Sequence, residues 1–400
     1  MTTPESLRFP GVPGLRKASR AVHAGRELKA RDPLAPPIVQ TAVYVYDDLD
    51  DYDAVAAGRK PGHVYARNSS ENTDWLERAV ADLEGAEGGV ATGSGMAAIL
   101  LALLALAPEP RPLVVQRELY GVTLALLRQD FAPRGYELRY ADFTDLDQVA
   151  QRLAGAGLVI CETLTNPLCK VIDLEAVCRL AAGQGVPVLV DNTFASPVLC
   201  RPLELGAAAS VHSATKYIGG HSDLTAGVVV GSASLVADMR ARGVRMGTTL
   251  GPFEAWLALR GLRTLVLRMA RHSSNSLRLA EGLAGLDAVA AVHHPLLEGS
   301  PWEANARRLL PDGSGGMMAF DLAGGREAVQ RMLGGLGMVR FAASLAGVET
   351  TISYPDLTSH RALPPEERLA LGITPGTVRV SVGIEDADDV LEDFRQALAG

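Results

Sequence analysis

The sequence predicts an α/β protein, with a large domain on a mainly parallel sheet followed by a smaller α+β domain. Two observations carry this. Between residues 113 and 230, short β-rich runs alternate with segments of helical periodicity, the pattern of strand–helix–strand crossovers. A chain of 400 residues also exceeds the usual size of one hydrophobic core, and 48% hydrophobic with 21% charged residues is the composition of an ordered, core-forming protein.

The elements follow in order. Residues 1–62 hold Pro33, Pro36, Pro37 and Pro61 and an acidic stretch from Asp47 to Asp53, which reads as an extended arm with short helical pieces. From Glu71 to Glu84, Trp75, Leu76, Ala79, Val80 and Leu83 recur at helical spacing, and Gly85 ends the helix. The apolar run Met96 to Pro108 falls short of the about 20 residues a membrane span needs, so a buried helix is expected. Strand-like runs at Leu113–Val115, Gly157–Cys161, Val186–Asp191, Ala207–His212 and Ala226–Val230 bracket helical segments around Thr123–Asp130 and Leu174–Gln184. Helical pattern dominates Pro252 to Leu283, with Trp256, Leu257, Leu259 and Leu262 on one side, and the domain change is placed there. The rest mixes strand (Gly316–Leu322, Thr377–Val382) and helix (Arg326–Leu333, Ala387–Leu398). The expected division is 1–62 (arm), 63–256 (first domain) and 257–400 (second domain).

Composition also bounds partners. A net charge of -8 leaves no basic surplus for phosphate neutralisation, so neither nucleic acid nor membrane is an expected partner. The first residues lack an apolar signal-peptide core, which makes the cytoplasm the expected compartment. Cys161, Cys169, Cys178 and Cys200 form no CxxC pair and read as buried small hydrophobes in a reducing compartment. The acidic cluster Asp47, Asp48, Asp50, Asp51 and Asp53 reads as a solvated face. His293 and His294 lack partners at ligand spacing, so no metal is assigned.

Chemistry concentrates in three places. In VHSATKYIGGHSD, Lys216 sits among small and hydroxyl residues that leave room for a planar ring, and a desolvated lysine forms a Schiff base with an aldehyde cofactor. Ser213 and Thr215 could donate to that cofactor's phosphate; alone, the motif better describes a surface loop lysine. In VPVLVDNTF, Asp191 ends an apolar β run, where α/β sheets present ligand-binding residues. A carboxylate there can hold a pyridine nitrogen protonated, the alternative being a helix cap or turn residue. In TGSGMA, Ser94, Gly95 and Met96 open the apolar helix, whose first N–H groups favour an anion; tight packing is the competing reading. Arg379 in TVRVSV lies on the strand face opposite Val378, Val380 and Val382, with a fork suited to a carboxylate or to a surface ion pair. The three pieces suit different parts of one cofactor.

With these motifs the chain resembles the Cys/Met-metabolism, or trans-sulfuration, family of fold-type I pyridoxal-phosphate (PLP) enzymes. The likeness runs nearly end to end, through ASRAVHAGRE, PPIVQTAVY, TGSGMAAI, ELYGVT, ETLTNP, VDNTFASP, HSATKYIGGHSD, LALRGLRTL, SLAGVET and RVSVGIED. It implies a PLP-binding domain with a seven-stranded type of sheet and pyridoxal 5'-phosphate as cofactor. It further implies that Lys216 is the Schiff-base lysine, Asp191 the partner of the ring nitrogen, Tyr120 the aromatic stacked on the ring and an acid or base, and Asn166 the group near the phenolic oxygen. Arg379, helped by Ser344, is implied at the substrate carboxylate. Tyr65 and Arg67 match an element that reaches a neighbouring subunit's cofactor and substrate, which implies a homodimer forming the active site, usually paired into a homotetramer.

The expected substrate is a small amino acid, and the expected activity is cystathionine γ-lyase-like elimination. Cystathionine γ-synthase-like replacement on an O-acylhomoserine is the alternative, then other carbon–sulfur lyases of the family, and in a different class a non-catalytic PLP-fold binding protein. Two segments depart from the family pattern, Tyr65-Ala66-Arg67-Asn68-Ser69-Ser70-Glu71-Asn72 and Thr358-Ser359-His360, both on the entrance or substrate side in relatives. Val122 stands where methionine γ-lyases resemble one another in carrying cysteine, which counts against that option.

Overall fold

In the computed structural model, residues 15–25, 32–361 and 363–399 are described. Residues 1–14 and 26–31 of the expected arm therefore lie outside the described residues. The helix Glu71–Glu84 begins where Ser70 accepts from the Thr73 N–H while Thr73 closes back on the Ser70 backbone, and it ends at Gly85 with φ +73°. That reciprocal cap and left-handed stop are what serine and glycine at those positions favour. Asp48 likewise caps the helix Leu49–Ala56, and Asp51 and Asp53 pair with Lys60 and Arg59, so the acidic cluster starts a helix and forms surface ion pairs.

The first sheet is built from β1 (Gly88–Thr92), β2 (Leu113–Gln116), β3 (Leu138–Ala141), β4 (Leu158–Glu162), β5 (Val188–Asp191), β6 (Ala209–His212) and β7 (Gly227–Gly231), in the order β1-β7-β6-β5-β4-β2-β3. Strands β2 to β6 run parallel, and β7 is antiparallel to both of its neighbours. β2, β4, β6 and β7 are buried at every position, as expected for strands covered by helices on both faces. One cover is the helix Gly95–Leu106, whose Ala98, Leu101, Ala102 and Leu103 are wholly buried. The expected Thr123–Asp130 helix is the short helix Gly121–Leu126, which widens into a π-helical turn at Leu127–Phe131.

The 20-residue helix Leu265–Ala284 leads into the second sheet, made of β8 (Val289–His293), β9 (Met317–Leu322), β10 (Arg340–Phe341), β11 (Thr351–Ser353) and β12 (Thr377–Ser381) in the order β10-β11-β12-β9-β8. Its core includes Phe320 packed edge-on to Phe394, with centroids 5.8 Å apart. β3, β8, β10 and β11 carried no clear sequence signal: β3 and β8 are mostly half-buried or exposed edge strands, and the other two are two and three residues long. This architecture places the carboxyl ends of β4, β5 and β6 side by side, where open α/β sheets bind ligands.

Candidate active site

A cavity of about 440 Å³ opens at those strand ends, lined among others by Ser94, Gly95, Met96, Tyr120, Asn166, Asp191, Ser213, Thr215, Lys216 and Arg379. Ten of the predicted site residues thus line one space. Ser344 adjoins it, within 3.3 Å of the Lys216 amine, while Ala343 and Leu345 on either side of it line the wall. Tyr65 and Arg67 are not among the lining residues; both are exposed, with the Arg67 guanidinium over the Tyr65 ring at 5.2 Å.

Lys216 follows β6 in a tight turn closed by Lys216 N–H on the Ser213 carbonyl and Gly220 N–H on the Lys216 carbonyl. The turn is gripped from behind by buried Arg268, which donates to the carbonyls of Tyr217 at 2.6 Å, Gly261 at 2.7 Å and Ile218 at 3.4 Å. Gly220, at φ +75°, lies where a Cβ would run into that guanidinium, so the second glycine of the motif answers both a conformational and a spatial demand. Burial first, and the Arg379 charge second, lower the Lys216 amine to about 8. About a tenth of the amine is therefore neutral at pH 7 and able to attack an aldehyde, far more than for an ordinary lysine.

Asp191 ends β5 and accepts from the Thr193 N–H at 3.0 Å. Burial raises its pKa, opposed by the Thr193 hydrogen bonds and by His212. Beneath it, fully buried Glu84 contacts His212 Nε2 at 2.6 Å and accepts from Ser210 at 2.9 Å and Asn192 at 3.0 Å, which pins the ends of β5 and β6. Sequence reading missed this network; its signal was an acidic residue on the apolar face of a helix.

At the opposite end, Ser94 caps the helix Gly95–Leu106 by accepting from Ala97 N–H at 3.2 Å. The first N–H groups of a helix have no intrahelical acceptor, so those of Gly95 and Met96 are available to an anion. A Cβ on Gly95 would lie 2.8 Å from Ser213 Cβ, so only glycine lets the turn approach the lysine loop so closely. The Thr215 hydroxyl lies 3.2 Å from the Ala226 carbonyl and accepts from Ala226 N–H at 3.0 Å, so here it braces β7.

Arg379 is buried, donating to Asn166 Oδ1 at 3.0 Å and to the Ser344 carbonyl at 3.4 Å, with Nε left without a partner. A buried guanidinium with a spare donor at a cavity wall suits a carboxylate. Thr358 and Ser359, from the atypical segment, line the cavity with Val122. His360 is buried behind them, and burial, then Arg379, lowers it to about 4, so it is neutral at physiological pH. The four cysteines are free and buried. His293 pairs with Asp321 at 2.7 Å and His294 contacts Ser276 and Ser314 at 3.1 Å, so both have structural partners.

An amine held partly neutral, a carboxyl at a strand end, a helix start pressed against the lysine loop and a spare guanidinium donor together fit pyridoxal phosphate, and this fold and site define a fold-type I PLP-dependent enzyme. The description "Cys/Met metabolism PLP-dependent enzyme" matches residues 18–399, and the chain belongs to that family. It is 41% identical to an L-methionine gamma-lyase of Pseudomonas putida over 98% of each chain. It is 37% identical to an O-succinylhomoserine sulfhydrylase of Pseudomonas aeruginosa, over 95% of this chain and 96% of that one. The crystal structure of cystathionine gamma synthase from Xanthomonas oryzae pv. oryzae in complex with aminoacrylate and cysteine superposes with a TM-score of 0.90 at 39% identity, covering 96% of this chain and 98% of that one. The chain is thus a PLP-dependent enzyme of sulfur amino-acid metabolism. Among the described residues no helix is long and apolar enough to cross a membrane.

Proposed function

We propose that this enzyme eliminates sulfur from the γ-carbon of an L-amino acid, with cystathionine as substrate, so that cystathionine and water give cysteine, 2-oxobutanoate and ammonia. The observation that carries the reading is the placement of Lys216 Nζ 3.3 Å from Ser344 Oγ, with the Ser344 carbonyl taking a hydrogen bond from Arg379. A proton carrier thereby stands next to the group suited to hold a substrate carboxylate, which is where Cα and Cβ protons must be moved.

The bound cofactor supplies the electron sink that makes those protons acidic. Arg379, on the cavity wall, orients the carboxylate, and Asn166 holds its guanidinium in place. Lys216, lowered to about 8, takes the proton at Cα and, once relieved of it, the proton at Cβ, so that the electron pair left there expels the sulfur from Cγ. The Tyr120 phenol, held above its usual range by burial, with Arg379 opposing, keeps its proton at neutral pH and can give it to the leaving sulfur. Asp191 serves the ring nitrogen, and Ser94, Gly95, Met96, Ser213 and Thr215 surround the phosphate. Tyr65 and Arg67, exposed here, are assigned to the cavity of a neighbouring copy, with residues 1–62 as the arm that joins the copies.

The sulfhydrylase and synthase relatives favour a second reading, in which an incoming thiol replaces the γ-substituent of an activated homoserine; the methionine γ-lyase relatives make methionine a third substrate to try. Holoenzyme is incubated with cystathionine alone, with methionine alone, and with O-succinylhomoserine plus cysteine. Release of 2-oxobutanoate from cystathionine is expected. Its absence, with cystathionine formed in the last mixture, establishes replacement instead; turnover of methionine alone reassigns the substrate.

A further inference from the structure

Glu162 is a buried carboxyl on the cavity wall for which the reading above has no task. It is the last residue of β4 and is paired in register with Asp191 on β5. Registered residues of neighbouring parallel strands project from the same face, so the two carboxyls stand side by side. Glu162 Oε1 accepts the backbone N–H of Tyr120 at 2.6 Å, and its own N–H donates to buried Gln116 Oε1 at 2.7 Å. Tyr120 needs such an anchor. It lies at the start of the helix Gly121–Leu126, its side chain makes no capping hydrogen bond, and the residue is 38% exposed.

We propose that Glu162 is a positioning residue: as a neutral acid it fixes the Tyr120 backbone, and hence the aromatic wall of the cofactor site, while leaving the negative charge of the carboxyl pair on Asp191. Adjacent desolvated carboxyls do not both ionise readily. Asp191 has the better claim to the charge, with hydrogen bonds from Thr193 and the nearby His212 against the single Tyr120 N–H at Glu162. The remaining charged neighbour of Glu162 is Glu118, which is paired with Lys170 at 2.7 Å. Burial, then Asp191, holds Glu162 well above the carboxylate range, which agrees with this division.

The inference rests on the cofactor site and not on the substrate assigned above, so either can fail alone. Cofactor-free protein is titrated with pyridoxal phosphate, and two quantities are read: the dissociation constant, and the visible circular dichroism of the bound cofactor, which reports ring orientation. Glu162→Gln keeps an acceptor for Tyr120 and stays uncharged, and is expected to match wild type within about threefold in affinity, with the same dichroic signal. Glu162→Met removes the acceptor at similar size and is expected to weaken binding tenfold or more and to halve the signal, at an unchanged melting temperature. Should Glu162→Met not fold, Glu162→Asp, which draws the acceptor back by one methylene, is expected to lower the signal. A wild-type signal from the folded Met variant, or from the Asp variant in its place, overturns the positioning role. A Gln variant as impaired as Met overturns the neutral acid.

Discussion

Arg379 Nη1 donates to Asn166 Oδ1 at 3.0 Å, joining β12 of the second sheet to the loop that follows β4 of the first. One hydrogen bond thus links the two sheets across the cavity and aims the guanidinium. Arg379→Lys replaces the fork by a point charge that cannot serve Asn166, the Ser344 carbonyl and a substrate carboxylate together. We expect kcat/KM to fall about 100-fold, equivalent to about 3 kcal/mol, with cofactor affinity little changed. Steady-state kinetics beside a cofactor titration check this; a kcat/KM within threefold of wild type removes Arg379 from substrate binding.

Lys216 sets a pH dependence. Its amine is lowered from 10.5 to about 8, so between those values the unfolded chain binds the proton that the folded chain has lost, and stability rises with pH. The cost of burying the charge is fully present below about pH 8 and is relieved as pH climbs towards 10.5. In cofactor-free protein, Lys216→Met should therefore raise the melting temperature at pH 7 by about 2 °C or more, the gain shrinking across that window. The rate of pyridoxal phosphate capture by wild type should rise with pH around a midpoint near 8. A midpoint near 10.5 would contradict the desolvated amine.

The Arg268–Gly220 contact yields a stability prediction. Arg268→Lys leaves at least one of the three buried carbonyls it serves without a donor, for a loss of roughly 2–4 kcal/mol. Gly220→Ala adds left-handed strain of about 1 kcal/mol and displaces the guanidinium. The double variant should cost less than the sum of the two, because both disturb one contact. Urea melts of the cofactor-free proteins decide; strict additivity would mean that the contact carries no coupling.

How much of this was legible follows from what each motif had to satisfy. Lys216, Asp191 and the Ser94 turn were readable because each lies where a strand ends, and Gly95 and Gly220 because glycine marks a close approach. Sequence spacing could not show what else a hydroxyl touches: Thr215, read as a phosphate donor, also meets the Ala226 backbone. Nor could it show Glu84 or Glu162. Each is a buried carboxyl whose neighbour lies on a different element, Glu84 of a helix with His212 of β6 and Glu162 of β4 with Asp191 of β5, and sequence spacing does not encode those pairings. The Asp51 and Asp53 ion pairs were within nine residues and agreed with the plain surface reading.

Gly121 meets Ser359 on the cavity wall. A Cβ on Gly121 would run into the Ser359 carbonyl, so the atypical Thr358-Ser359-His360 segment packs directly on the loop carrying Tyr120 and Val122. Gly121 opens a helix at an ordinary φ, so alanine there costs no backbone strain and gains helix propensity. Its effect must come from pushing Ser359 and Thr358 across the cavity mouth. Gly121→Ala should raise KM for a long substrate such as cystathionine about tenfold or more, and for a short one such as homocysteine less than threefold, with cofactor affinity unchanged. Equal effects on both substrates would show that this segment does not gauge substrate length.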